Sequence, residues 1–100
     1  RAKEFMDSHY HEPLKIYDIA ASLNIHPNYL CAVFKKEYGQ TPGDYLCSIR
    51  MAQAAMILKL TDHTISMIAE SLGYANPFRF SAAFKSYYGV SPSAYRKEGR

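Results

Sequence analysis

The chain repeats itself. Ile19–Ala20–Ala21–Ser22–Leu23 returns as Ile68–Ala69–Glu70–Ser71–Leu72, an offset of 49. Phe34–Lys35, Tyr38–Gly39, Pro42 and Tyr45 return as Phe84–Lys85, Tyr88–Gly89, Pro92 and Tyr95, an offset of 50. The second copy therefore carries one extra residue, in or near the turn between its two helices. Each copy reads as a short helix, a tight turn and a longer helix stopped by a glycine, so two similar supersecondary units must share a chain of 100 residues.

Between the copies runs Thr41–Leu60. Thr41 is a good N-cap, Pro42 suits the first helical position, and Asp44 sets a carboxylate near the positive end of the helix dipole. No further Pro or Gly occurs from Gly43 until Gly73, and Asp62–His63–Thr64 supplies the polar break. About 18 helical residues span roughly 27 Å. Tyr45, Leu46, Ile49, Ala52, Met56 and Ile57 follow helical spacing. Met51, Ala54, Ala55, Leu58 and Leu60 extend apolarity to other faces, which predicts cover from more than one side.

The remaining punctuation is helical too. Ala2 to His11 is a short amphipathic stretch ended by the approach to Pro13, and Leu14 to Leu23 follows with a poorly specified start, since Lys15 is no cap. Asn24–Ile25–His26 makes a turn before a helix from Pro27 to Tyr38, stopped at Gly39. Thr64 caps a helix through Leu72, Asn76 caps one from Pro77 to Tyr88, and Ser91–Pro92 starts a last short helix containing Tyr95. No run of β-branched alternation is long enough for a strand, so the fold class is all-α. The expected division is residues 1–40 for an N-terminal helix and first unit, 41–60 for the connector, and 61–100 for the second unit with a C-terminal helix.

Composition narrows the function without choosing it. At 48% hydrophobic the chain can bury a small core, or two. No 18-residue apolar run offers a membrane span, and no signal-peptide pattern opens the sequence. The start at Arg1, straight into an amphipathic pattern, reads as a fragment of a longer protein. Cys31 and Cys47 lie 16 apart with no C-x-x-C spacing, which reads as unbridged thiols of a reducing cytosol. A formal charge of +3 permits a polyanion partner without demanding one.

The duplicated layout is that of the helix-turn-helix, whose second helix enters the DNA major groove. The connector length is commensurate with one turn of B-DNA, about 34 Å, so two reading helices can occupy successive major grooves. At 100° per residue, Leu30, Val33, Phe34, Glu37 and Tyr38 share one face of the first reading helix. Asn28, Cys31, Ala32 and Lys35 lie opposite, with Tyr29 and Lys36 at the edge. In the second, Phe80, Ala83, Phe84 and Tyr88 face the core, Phe78, Ser81, Ala82 and Lys85 face out, and Arg79 stands at the edge. Asn28 can bond N6 and N7 of adenine, and Arg79 O6 and N7 of guanine, while Ala32, Ala82 and the Phe78 ring can only pack on thymine methyls or sugars. Lys35, Lys36 and Lys85 suit phosphates, as do the helix starts at Thr41, Asn76 and Ser91, although every helix has such an end.

Other chemistries find less support. Ser, His and Asp all occur, but no G-x-S-x-G, phosphate loop or paired-carboxylate motif does, so no catalytic residue is expected. His9 and His11 point about 200° apart on a helix and chelate poorly. A metal site from His26 and Cys31 lacks two further ligands. Neither metal nor cofactor is expected. The competing reading is an all-α protein-interaction module whose basic face binds an acidic partner.

Ile68–Ala69, Gly73–Tyr74, Phe80, Phe84–Lys85, Gly89, Ser91–Pro92 and Tyr95–Arg96, with Arg50 and Ala54 upstream, form a specific spacing set over nearly the whole chain. It resembles the C-terminal DNA-binding domain of the AraC/XylS family of bacterial transcription regulators. The resemblance implies seven helices, two helix-turn-helix units on a long connector, and double-stranded DNA as partner. It further implies a regulatory or dimerisation domain elsewhere in the chain, RNA polymerase as a second partner, and a cytoplasmic, nucleoid location. Carried over by position, base contacts fall on Asn28, Cys31 and Ala32, and near Phe78, Arg79, Ser81 and Ala82. Ala32 and Ala82 stand where family members often place long polar or basic residues, and His26 where a Ser-type cap is more usual.

Overall fold

The computed structural model describes residues 2–98, which form α1 (Ala2–His9), α2 (Ile16–Ser22), α3 (Pro27–Tyr38), α4 (Pro42–Leu60), α5 (Ile65–Ser71), α6 (Pro77–Tyr88) and α7 (Pro92–Glu98). Every element among the described residues is helical, as the sequence predicts. The chain gathers into two compact units, one of residues 2–10 and 14–49, the other of residues 11–13 and 50–98. α4 contributes its first eight residues to the first unit and the rest to the second.

In unit 1, Met6 of α1, Ile19 and Ala20 of α2, Leu30 and Phe34 of α3 and Leu46 of α4 make the core. Burying each larger side chain is worth about 1.5–3 kcal/mol. α2 starts at Ile16, two residues later than its apolar pattern. Its start is set from inside: the Asp18 carboxylate accepts from the Lys15 backbone N–H at 3.0 Å, supplying half of a capping box that Lys15 itself cannot. The chain then turns through Asn24 in the left-handed region (φ 59°), and the Ile25 N–H donates back to the Ala20 carbonyl at 3.0 Å. α3 ends at Gly39. Phe34 packs on Tyr38 and Tyr45 at 4.6 and 5.8 Å between ring centroids. The Tyr45 hydroxyl donates to Asp7 at 2.6 Å, and burial, then this bond to a carboxylate, push its pKa from 10.0 to about 12.

Unit 2 repeats that frame with different fittings. Phe84 packs on Tyr88 and Tyr95 at 4.7 and 5.3 Å. Met51, Ala54, Leu58, Ile68, Ala69, Leu72 and Phe80 complete the core. Thr64 caps α5 by accepting from the Met67 N–H at 3.1 Å. The turn passes through Gly73 at φ 85°, and a Cβ there would overlap the Glu12 carbonyl and lie 2.9 Å from Arg50 Nη2. Arg50 is buried, donates to that carbonyl at 2.6 Å and lies 5.1 Å over the Tyr74 ring. Arg96 of α7 donates to the carbonyl of Leu58, in the last turn of α4, and to those of Thr61 and His63 just beyond it, at 3.0, 3.2 and 2.8 Å, so it satisfies one carbonyl that the helix end leaves without a helical partner and two of the following turn.

Three expectations change. On α4 the buried positions beyond Pro42 are Leu46, Arg50, Ala54 and Leu58, with Met51 beside them, whereas Ala52 and Met56 are exposed. A row of i+4 steps winds about 40° around the axis at each step, so a helix that serves two cores has no straight apolar stripe. On α3, Val33, Glu37 and Tyr38 are exposed, and only Leu30 and Phe34 are buried. Tyr88 is likewise exposed along its edge while its hydroxyl donates to the Met51 carbonyl at 3.2 Å.

Candidate nucleic-acid interface

Each reading helix begins with proline at its first position and a side-chain cap before it. In α3 the cap is His26. Its Nδ1 accepts from the Asn28 backbone N–H at 3.1 Å, which requires the neutral ring carrying its proton on Nε2. In α6 the cap is Asn76, whose Oδ1 accepts from the Arg79 N–H at 2.9 Å. The Ile25 and Tyr74 backbone N–H groups bond the Ala20 and Ala69 carbonyls at offset 49, whereas Pro27 and Pro77 are offset by 50. The extra residue of the second copy is therefore Ala75, and it sits in the approach to the cap.

Capping leaves a defined outer surface. When His26 and Asn76 spend an acceptor on the helix, what remains toward solvent is N–H: Nε2 on one and the amide nitrogen on the other. The second and third helical positions then project Asn28 and Tyr29 from α3, and Phe78 and Arg79 from α6, all exposed. Tyr29 is 61% exposed and Phe78 83%. Ala32 and Ala82 are exposed one turn further on, and Lys35, Lys36 and Lys85 beyond them. Cys31 and Ser81 are half-buried at equivalent positions, so each presents only part of its side chain. The sequence-predicted residues of α3 thus cluster on unit 1 and those of α6 on unit 2.

The predicted phosphate groups fall in two environments. Lys35, Lys36 and Lys85 lie in the last turns of their helices, where positive charge also complements the dipole. Thr41 accepts from the Asp44 N–H at 3.1 Å and is half-buried, so its hydroxyl proton is its outward polar group. His26 was not among the predicted contacts, although the residue before a helix-opening proline is where a cap belongs.

Two shallow grooves flank the turns. One of about 280 Å³ in unit 1 is lined by Leu23, Ile25, Tyr29, Val33, Glu37 and Tyr38 among others. The other, about 220 Å³ in unit 2, lies between Ser66, Glu70, Tyr74 and Asn76. Among the described residues no group of three His, Cys, Asp or Glu side chains is placed to hold a metal, and no helix is long and apolar enough to cross a membrane. Cys31 and Cys47 are not joined in a disulfide.

Two tandem helix-turn-helix units with exposed, basic second helices define a DNA-binding fold. Comparison with known proteins agrees. A profile of the helix-turn-helix domain family matches residues 19–98. The Msm operon regulatory protein of Streptococcus mutans is 35% identical over 98 residues, covering 98% of this chain and 35% of that protein. The C-terminal domain of AraT, a response regulator from Geobacillus stearothermophilus, superposes with a TM-score of 0.95 at 38% identity, covering 98% of this chain and 82% of that one. The DNA-binding domain of AdpA, a global transcriptional factor solved in complex with a target DNA, gives 0.89 at 25% identity, with coverage of 97% and 87%. The chain belongs to the AraC-type helix-turn-helix family of bacterial transcription regulators. It spans about a third of the length of the curated relatives it matches.

Proposed function

We propose that this chain is the operator-binding part of a longer bacterial regulator and that each unit lays its second helix in a major groove of one duplex. The single observation that carries the reading is the pair of exposed first turns, Asn28–Tyr29 and Phe78–Arg79, each held rigid by a proline and a side-chain cap. Base contacts are assigned to Asn28, Tyr29, Cys31, Ala32, Phe78, Arg79, Ser81 and Ala82. Phosphate contacts are assigned to Lys35, Lys36, Thr41, Asn76 and Lys85, with the outward donors of Thr41 and Asn76 acting as neutral clamps. The half-buried Cys31 and Ser81 serve as close-approach surface rather than as long reading arms. The solved AdpA complex with its target DNA supports duplex DNA as the ligand.

No residue is assigned a catalytic role, and the domain works by binding alone. The rest of the regulator supplies signal reception or dimerisation, RNA polymerase is the downstream partner, and the protein acts in the cytoplasm at the nucleoid. Titration of a labelled duplex recovered from a random pool, against a random duplex, tests this. Affinity for both is expected to fall steeply with salt as counterions are released, with the selected duplex bound more tightly throughout. Asn28→Ala is expected to lose about 1–3 kcal/mol on the selected duplex and little on random DNA, whereas Lys35→Ala weakens both alike. Equal losses on both duplexes for both variants would overturn the assignment of the reading face.

A further inference from the structure

The two first turns are not copies of one another. At offset 50, Asn28 is matched by Phe78 and Tyr29 by Arg79, so the aromatic ring moves from the third helical position in unit 1 to the second in unit 2. Tyr29 lines the unit 1 groove beside Ile25 and Val33 and carries a hydroxyl. Phe78 has no polar tip and is the most exposed large apolar side chain of the described residues, at 83%. Its backbone is fixed by Pro77 and by the Asn76 bond to the Arg79 N–H, and at that exposure the ring stands in solvent and is not folded beneath the turn. What sets Phe78 apart from other exposed apolar side chains is its place on the first turn of the second reading helix, beside Arg79, where the ring faces whatever apolar surface the groove offers. On the floor of the major groove the 5-methyl group of thymine is the apolar feature that base pairs offer. Next to Phe78, Arg79 presents a guanidinium whose fork matches guanine O6 and N7.

We infer that Phe78 reads a thymine 5-methyl group and does so in the same half-site as a guanine held by Arg79. The inference rests on the DNA-binding reading above and adds the chemistry of one half-site to it. Unit 1, led by Asn28, is matched instead to adenine, so the two units of one chain recognise two unlike half-sites.

The test uses duplexes selected from a random pool by the wild-type chain, with each thymine of the consensus replaced in turn by uracil, which deletes only the methyl group. At one thymine of the guanine-containing half-site, the exchange is expected to weaken the wild-type chain about fourfold, the worth of one buried methyl group. Phe78→Ala is expected to bind the thymine and uracil duplexes within about 1.5-fold of each other, because the group that senses the methyl is gone. The exposed position makes Phe78→Ala a safe variant for folding, and helical circular dichroism confirms it before titration. Insensitivity of the wild-type chain to every exchange, or full sensitivity retained by Phe78→Ala, overturns the inference and leaves sequence-specific binding intact. A pool that yields no consensus overturns both.

Discussion

Unit 1 turns on Asn24 at φ 59° and caps α3 with His26, whereas unit 2 turns on Gly73 at φ 85° and caps α6 with Asn76 after one added residue, Ala75. Behind those turns the units agree closely. Phe34, Tyr38 and Tyr45 in one, and Phe84, Tyr88 and Tyr95 in the other, brace the end of the second helix against the helix that follows. What holds a reading helix in place is thus retained, and what aims its first turn is varied. The long-range polar ties differ as well. Unit 2 uses two arginines on backbone carbonyls, and unit 1 uses a tyrosine on a carboxylate. Ile25 and Leu30 occupy the places of Tyr74 and Phe80, and this smaller pair lines the unit 1 groove, whereas the Tyr74 and Phe80 rings pack edge to face at 5.5 Å.

The sharpest way to break the comparison is at the turns. Gly73→Ala meets left-handed strain and the Glu12 carbonyl together, so thermal or urea unfolding is expected to show a loss of about 3 kcal/mol or more. Asn24→Ala, with the same backbone sign, is expected to cost only about 1 kcal/mol. Equal losses at the two sites would show that strain alone, without the crowding, sets the cost. Arg50→Met comes next: it leaves the Glu12 carbonyl without this donor and removes the cation from the Tyr74 ring. Denaturant midpoints should report about 2 kcal/mol lost.

The smallest effect lies in unit 1 at alkaline pH. Because the Tyr45 pKa is raised in the folded chain, its contribution to stability is fully present below the ordinary 10.0 and is lost as pH climbs toward about 12. Phenolate absorbance is expected to show Tyr45 titrating late. Asp7→Asn should bring it only part of the way back, since burial is the larger cause and the Asp7 hydrogen bond the second. A full return to 10.0 would reverse that order.

Much of this frame is legible in the sequence because its signals are local. Thr41, Thr64 and Asn76 announce caps, Pro27 and Pro77 announce first turns, and Gly39 and Gly89 announce ends. Non-local effects are not legible in that way. The Val33 face is misread because a helical wheel gives it a side but not a partner, and the Met56 stripe because one helix answers to two cores. Arg50 and Arg96 belong to the recognised spacing set, yet their work stays hidden until carbonyls 33 to 38 residues away in the chain come within 2.6–3.2 Å. At the candidate site, the exposure of Phe78 agrees with the outward face that periodicity gives it. The half-burial of Cys31 and Ser81 depends on neighbours that no spacing rule contains.

The three carbonyls held by Arg96 also set an order of events during synthesis. All of the described residues of unit 1 precede position 50, so its core can close while the second half of the chain is still being made. The corner from Leu58 to His63 waits for a residue near the far end of unit 2. Until Arg96 leaves the ribosome, the carbonyls of Leu58, Thr61 and His63 lack their side-chain donor and bond to water instead, and the second reading helix has no finished support to stand on.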